Sequence, residues 1–109
     1  MNAKANEPWN LGQGMDAARL LERRLTPLGY HVSMGGSVLH KAGSRKDLDL
    51  LVMPRNNTNC LPRSFIWEEI LAAFGAQRGR ACRGENRDLK DVRWLITKDN
   101  QRIDIFFVQ

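Results

Sequence analysis

The chain has 109 residues, 42% of them hydrophobic, with 17 Lys and Arg against 12 Asp and Glu for a formal charge of +5. That length supports one domain with a modest core, and no apolar run approaches the roughly 18 to 20 residues that a membrane-spanning helix needs. The first residues, Met1 to Pro8, lack the apolar centre of a signal peptide, so the expected location is the cytoplasm. Cys60 and Cys82 lie too far apart for a zinc knuckle and are too few for a disulfide framework, which makes them free thiols by expectation.

In chain order, residues 1–13 carry Gly, Asn and Pro without periodicity and are expected to form a flexible arm, with Trp9 docking it; the domain proper is assigned to 14–109. Met15, Ala18, Leu21 and Leu25 recur every three or four residues, with Leu20 at the edge of that face, which predicts an amphipathic helix closed by Pro27 and Gly29. Tyr30 to Met34 predicts a short strand leading into the turn Gly35-Gly36-Ser37, with Tyr30 packed in the core and His31 at the strand edge. A short helix over 37–41 is expected to follow, its N–H groups offered to an anion. Gly43-Ser44 then breaks it before a second strand, Asp47 to Met53.

Pro54 to Pro62 is a polar loop. Ser64 predicts an N-cap for a helix through Phe74, with Ile66, Ile70 and Phe74 on one face and Gly75 as the stop. Residues 76–91 are basic and carry no clear periodicity; their Arg78, Arg80, Arg83 and Arg87 lack interleaved aromatics, so nucleic acid is a possible partner that no motif indicates. Val92–Thr97 and Arg102–Val108 predict a hairpin around residues 98–101. Trp67 and Trp94 are expected in the core. Together these elements predict an α/β fold, a small mixed β-sheet flanked by helices.

The chemistry concentrates in two places. Side chains alternate along a strand, so Asp47 and Asp49 share one face while Leu48 and Leu50 share the other. Adjacent carboxylates repel, and burying either is costly; a hard divalent cation relieves both and still leaves room for substrate phosphates. A third acid, Asp104, lies in the apolar run 102–108, where Ile103, Ile105 and Phe107 face the core while Asp104 and Phe106 face the site. Gly35 and Gly36 allow a backbone to approach a phosphate closely. Lys41, Arg45 and Lys46 are placed to neutralise phosphate charge. Ser44 is expected to be structural, and His40 exposed.

Gly36-Ser37, nine residues, then Asp47-Leu48-Asp49-Leu50, with a later strand Asp104, resembles the polymerase-beta-type nucleotidyltransferase superfamily. The resemblance implies a minimal nucleotidyltransferase domain that transfers an NMP from an NTP to a hydroxyl acceptor on protein, RNA or a small molecule. It implies Asp47, Asp49 and Asp104 as catalytic residues and ligands of two Mg²⁺ ions, with Mn²⁺ as a substitute, and Gly35, Gly36, Ser37 and Lys46 as the nucleotide-binding set. Many members carry a further helical region, which here would come from a second copy, a helical partner protein or the 76–91 segment. The alternative is a non-catalytic nucleotide-binding or protein-interaction module that retains the fold.

Overall fold

The computed structural model describes residues 8–35, 47–55, 61–76, 81–83 and 91–108. They form helix α1 (Leu11–Leu25), a 3-10 turn (Thr26–Leu28), strands β1 (Tyr30–Met34) and β2 (Asp47–Pro54), helix α2 (Arg63–Ala73), and strands β3 (Ala81–Arg83), β4 (Asp91–Ile96) and β5 (Arg102–Phe107). The expected short helix at 37–41 and the loop tip 56–60 lie outside the described residues.

Helix α1 begins four residues before the apolar periodicity does. Asn10 and Gln13 form a capping box: the Asn10 side chain accepts from the Gln13 amide at 2.8 Å, and Gln13 Oε1 accepts from the Asn10 amide at 3.2 Å. Two otherwise orphaned N–H groups are thereby satisfied, which fixes the start. The buried stripe is Gly14, Ala17, Leu21 and Leu25, so Met15 lies on the flank, exposed. Pro27 and Gly29, the latter at φ 93°, end the helical path as expected.

Helix α2 starts at Arg63, and Pro62 takes the N-cap position instead of Ser64. The Pro62 carbonyl accepts from the amides of Phe65 and Ile66, so Ser64 falls inside the first turn and caps nothing. Ile66, Ile70 and Phe74 are buried on one face, and Gly75 at φ 61° closes the helix.

The five strands form one sheet in the order β1-β2-β5-β4-β3. Only the β2–β5 contact among these pairs is parallel; the rest are antiparallel. The helices cover the face bearing Leu48, Leu50, Val52, Ile103, Ile105 and Phe107, which join Leu21, Leu25, Ile66 and Ile70 in one core. Burying each large apolar side chain contributes roughly 1.5–3 kcal/mol. β1 is an edge strand, and its outward N–H at Val32 donates to Glu22 of α1, which also meets His31 Nδ1 at 3.2 Å. That carboxylate blocks further strand pairing there.

Residues 8–13 belong to this fold and not to an arm. Trp9 is buried and its Nε1–H donates to the Arg102 carbonyl at 2.6 Å; Gln101 Nε2 donates to the Pro8 carbonyl at 3.1 Å. The expected docking of Trp9 therefore holds, and it clips the start of β5. Trp67 packs against the core as expected, whereas Trp94 stands half-buried on the opposite face of the sheet. Among the described residues, no helix is long and apolar enough to cross a membrane.

Trp9→Phe, which keeps a ring but leaves the Arg102 carbonyl without its donor, is expected to cost about 1 kcal/mol. Trp9→Ala is expected to cost about 3–5 kcal/mol. Chemical denaturation measures both, and wild-type stability in the alanine variant would contradict the clip.

Candidate active site

Strand alternation sends Asp47, Asp49 and Leu51 to the face of the sheet away from the helices. The parallel register then sets Asp47 opposite Arg102, Asp49 opposite Asp104 and Leu51 opposite Phe106. β4 adds Trp94 beside Asp104 and Val92 beside Phe106. One end of this face is charged and the other apolar. All three acids singled out in the sequence thus meet on one face of two hydrogen-bonded strands.

Arg102 sits among them. Its Nε lies 3.0 Å from Asp104 Oδ1 and 3.8 Å from Asp47 Oδ1, and its guanidinium rests 5.3 Å from the centre of the Trp94 ring. Arg102 is not among the residues expected at the site, although the signal is in the sequence: two residues apart on a strand, Arg102 and Asp104 must share a face. Asp104 is more enclosed than Asp47, its side chain 17% exposed against 47%. Burial pushes its carboxyl above the usual carboxylate range; Arg102 opposes the shift through charge and a hydrogen bond, and the negative charge of Asp47 adds to it. A second cation at this face would favour the ionised form. Among the described residues, no three carboxylate, imidazole or thiol groups converge closely enough to hold a metal ion in this conformation.

Gly35 continues the β1–β2 pairing past Met34 and Leu50. Its N–H donates to the Asp49 carbonyl at 2.6 Å, and a Cβ placed on it would stand 2.6 Å from the Asp49 Cβ. Only glycine permits that approach, so the residue locks the backbone of Asp49. Its neighbours in the expected nucleotide-binding set, Gly36, Ser37 and Lys46, lie outside the described residues, as do His40, Lys41, Ser44 and Arg45. Cys60, Arg78, Arg80 and Arg87 lie outside them as well.

Two outcomes follow from this geometry. Gly35→Ala forces β1 from β2 at Asp49 and is expected to destabilise by about 1–3 kcal/mol, read by thermal unfolding. Asp104→Asn is expected to raise Tm at pH 7. The folded-state pKa of Asp104 lies above its unfolded value, so the folded chain holds a proton that the unfolded chain has lost. Stability therefore falls as pH rises through that window, and the penalty is complete at neutral pH. Below about pH 3, where both states are protonated, the variant and wild type should converge; a lower Tm for the variant at pH 7 would contradict this.

No protein-family model matches the chain, and no curated protein matches it. Solved structures do. The Cid1 poly(U) polymerase, solved with Mg and 3′-dATP bound, superposes with a TM-score of 0.62 at 18% identity over 89% of this chain and 30% of that one. A cytoplasmic RNA terminal U-transferase gives 0.61 at 18% identity, over 89% and 28%. Polymerase beta of Leishmania infantum gives 0.60 at 10% identity, over 95% and 44%. The chain spans less than half the length of each of these structures, and over that span it has a nucleotidyltransferase-like α/β fold.

Proposed function

We propose that this chain is the catalytic core of a divalent-cation-dependent nucleotidyltransferase, transferring a nucleoside monophosphate from an NTP to a hydroxyl acceptor with release of pyrophosphate. The observation that carries this is the register of β2 on β5, which sets Asp49 beside Asp104, with Asp47 on the same face. The donor chemistry fits Mg²⁺ or Mn²⁺: hard carboxylate oxygens, one set partly desolvated with a raised pKa, and a guanidinium already drawn in as counter-charge. Asp47, Asp49 and Asp104 would hold the cation, with Arg102 turned aside. When bound, it supplies charge neutralisation to the triphosphate and acidity to the attacking hydroxyl.

The chain's own residues carry the rest. Asp104, ionised once a cation is bound, would hold that cation beside the attacking hydroxyl. Gly35 holds the Asp49 backbone in place, so that the carboxylate is preorganised. Gly36, Ser37 and Lys46 would contact the nucleotide phosphates. Acceptor binding would fall to further surface, from a second copy or a helical partner resting on the open face beside Leu51, Val92 and Phe106.

A second reading, a non-catalytic nucleotide-binding or interaction module, draws support from Arg102 bridging Asp104 and Asp47. Calorimetry and turnover together separate the two. Each NTP is titrated with Mg²⁺ into wild type and into the Asp47→Asn/Asp49→Asn double variant. The proposal expects metal-dependent binding in wild type, weakened about tenfold or more in the variant, with the fold retained. In any acceptor assay Asp49→Asn should lower turnover by about a hundredfold or more. Absence of metal-dependent NTP binding in the wild type would favour the interaction module, and binding without turnover the nucleotide-binding one.

A further inference from the structure

A second charged cluster lies on the helix-covered face, away from the acids. Asp91 and Arg93 stand opposite Phe107 and Ile105, and both therefore share the face of the core residues. Arg93 grips Asp91 with two parallel hydrogen bonds, Nε to Oδ1 at 3.0 Å and Nη2 to Oδ2 at 2.9 Å, and Arg63 reaches the same carboxylate from α2 at 3.3 Å. Both guanidinium groups lie over the Phe107 ring, at 4.9 and 5.6 Å, and Arg93 also faces Trp67 at 5.5 Å.

Among the described residues, guanidinium outnumbers carboxylate in this cluster. Burial tends to raise the Asp91 carboxyl, but the hydrogen bonds and charge of Arg93, followed by those of Arg63, outweigh it and hold it below the usual range. Asp91 is thus ionised at neutral pH, and two permanent guanidinium charges face one carboxylate. The Arg93 side chain is 5% exposed, and its Nη1 is buried without a hydrogen-bond partner among the described residues. A buried charged donor without an acceptor is the exception in folded proteins. The first turn of α2 adds donors of its own. Its cap supplies no side-chain hydrogen bond, the turn has no acidic residue, and the amides of Arg63 and Ser64 have no acceptor among the described residues. An open helix N-terminus beside a surplus guanidinium attracts an oxyanion.

We propose that this corner binds a phosphate group, seated on the first-turn amides of α2 and the half-exposed Arg63, with Arg93 beneath supplying the second charge. Because Asp47, Asp49 and Asp104 occupy the other face of the sheet, this site is separate from the one that would hold an NTP. Free phosphate and a nucleic-acid strand both present this group; the chemistry recognised is the same.

The test is titration of the full chain with inorganic phosphate, against chloride at matched ionic strength and with EDTA present. Nitrogen-15 NMR follows the amides of Arg63 and Ser64 and the guanidinium of Arg93, and thermal unfolding follows stability. Saturable shifts at these groups are expected in wild type and unchanged in Asp47→Asn/Asp49→Asn, with Arg63→Gln requiring about tenfold more phosphate. A short single-stranded oligonucleotide producing the same shifts at far lower concentration would name a strand as the source; phosphate alone producing them would name the free ion. Absence of saturable shifts in wild type overturns the proposal, as does an Arg63→Gln titration identical to wild type.

Discussion

The parallel pairing of β2 with β5 is the constraint on which the rest of the molecule depends. One register fixes two results at once. It aligns Leu48, Leu50 and Val52 with Ile103, Ile105 and Phe107 under the helices, and it aligns Asp47 and Asp49 with Arg102 and Asp104 on the other side. A slip of one residue would exchange the faces, putting acids under α1 and α2. Six apolar side chains at roughly 1.5–3 kcal/mol each exceed the cost of holding one partly desolvated carboxylate. The core thus enforces an arrangement of acids that would not assemble by itself. Trp9 and Gln101 reinforce it by clipping the N-terminal segment to the start of β5.

Electrostatics sets a different charged cluster on each face of the sheet. On the open face, Arg102 meets Asp104 and Asp47, with Asp49 beside Asp104. Under the helices, Arg63 and Arg93 both hold the Asp91 carboxylate. The first cluster suits a cation and the second an oxyanion. Arg102 also sets a condition on the first site: it is the counter-charge that a metal ion would replace, and Trp94 gives it a surface to rest on.

Much of this was legible in the sequence wherever local pattern and packing agree. Residues Tyr30–Met34 and the Asp47 strand follow their alternation, and Asp104 stands on the face its neighbours Ile103 and Ile105 leave open. Where short-range hydrogen bonding overrides periodicity, the sequence misled. Asn10 and Gln13 start α1 early, and Pro62 displaces Ser64 as the cap of α2. Trp94 was expected in the core because it is large and apolar, yet its register opposite Asp104 sends it to the open face. Arg102 and the Arg63–Asp91–Arg93 cluster were not foreseen, since their meaning depends on which strands pair. Gly35 was singled out for a phosphate, while its contact is with the backbone of Asp49.

The most direct measurement is a diffraction experiment on the chain with Mn²⁺ and a non-hydrolysable NTP, using the anomalous signal of the metal. A peak bonded to carboxylate oxygens of Asp47, Asp49 and Asp104 is expected, with the Arg102 side chain moved off Asp104. No peak among these acids, with Arg102 still bridging Asp104 and Asp47, would contradict it.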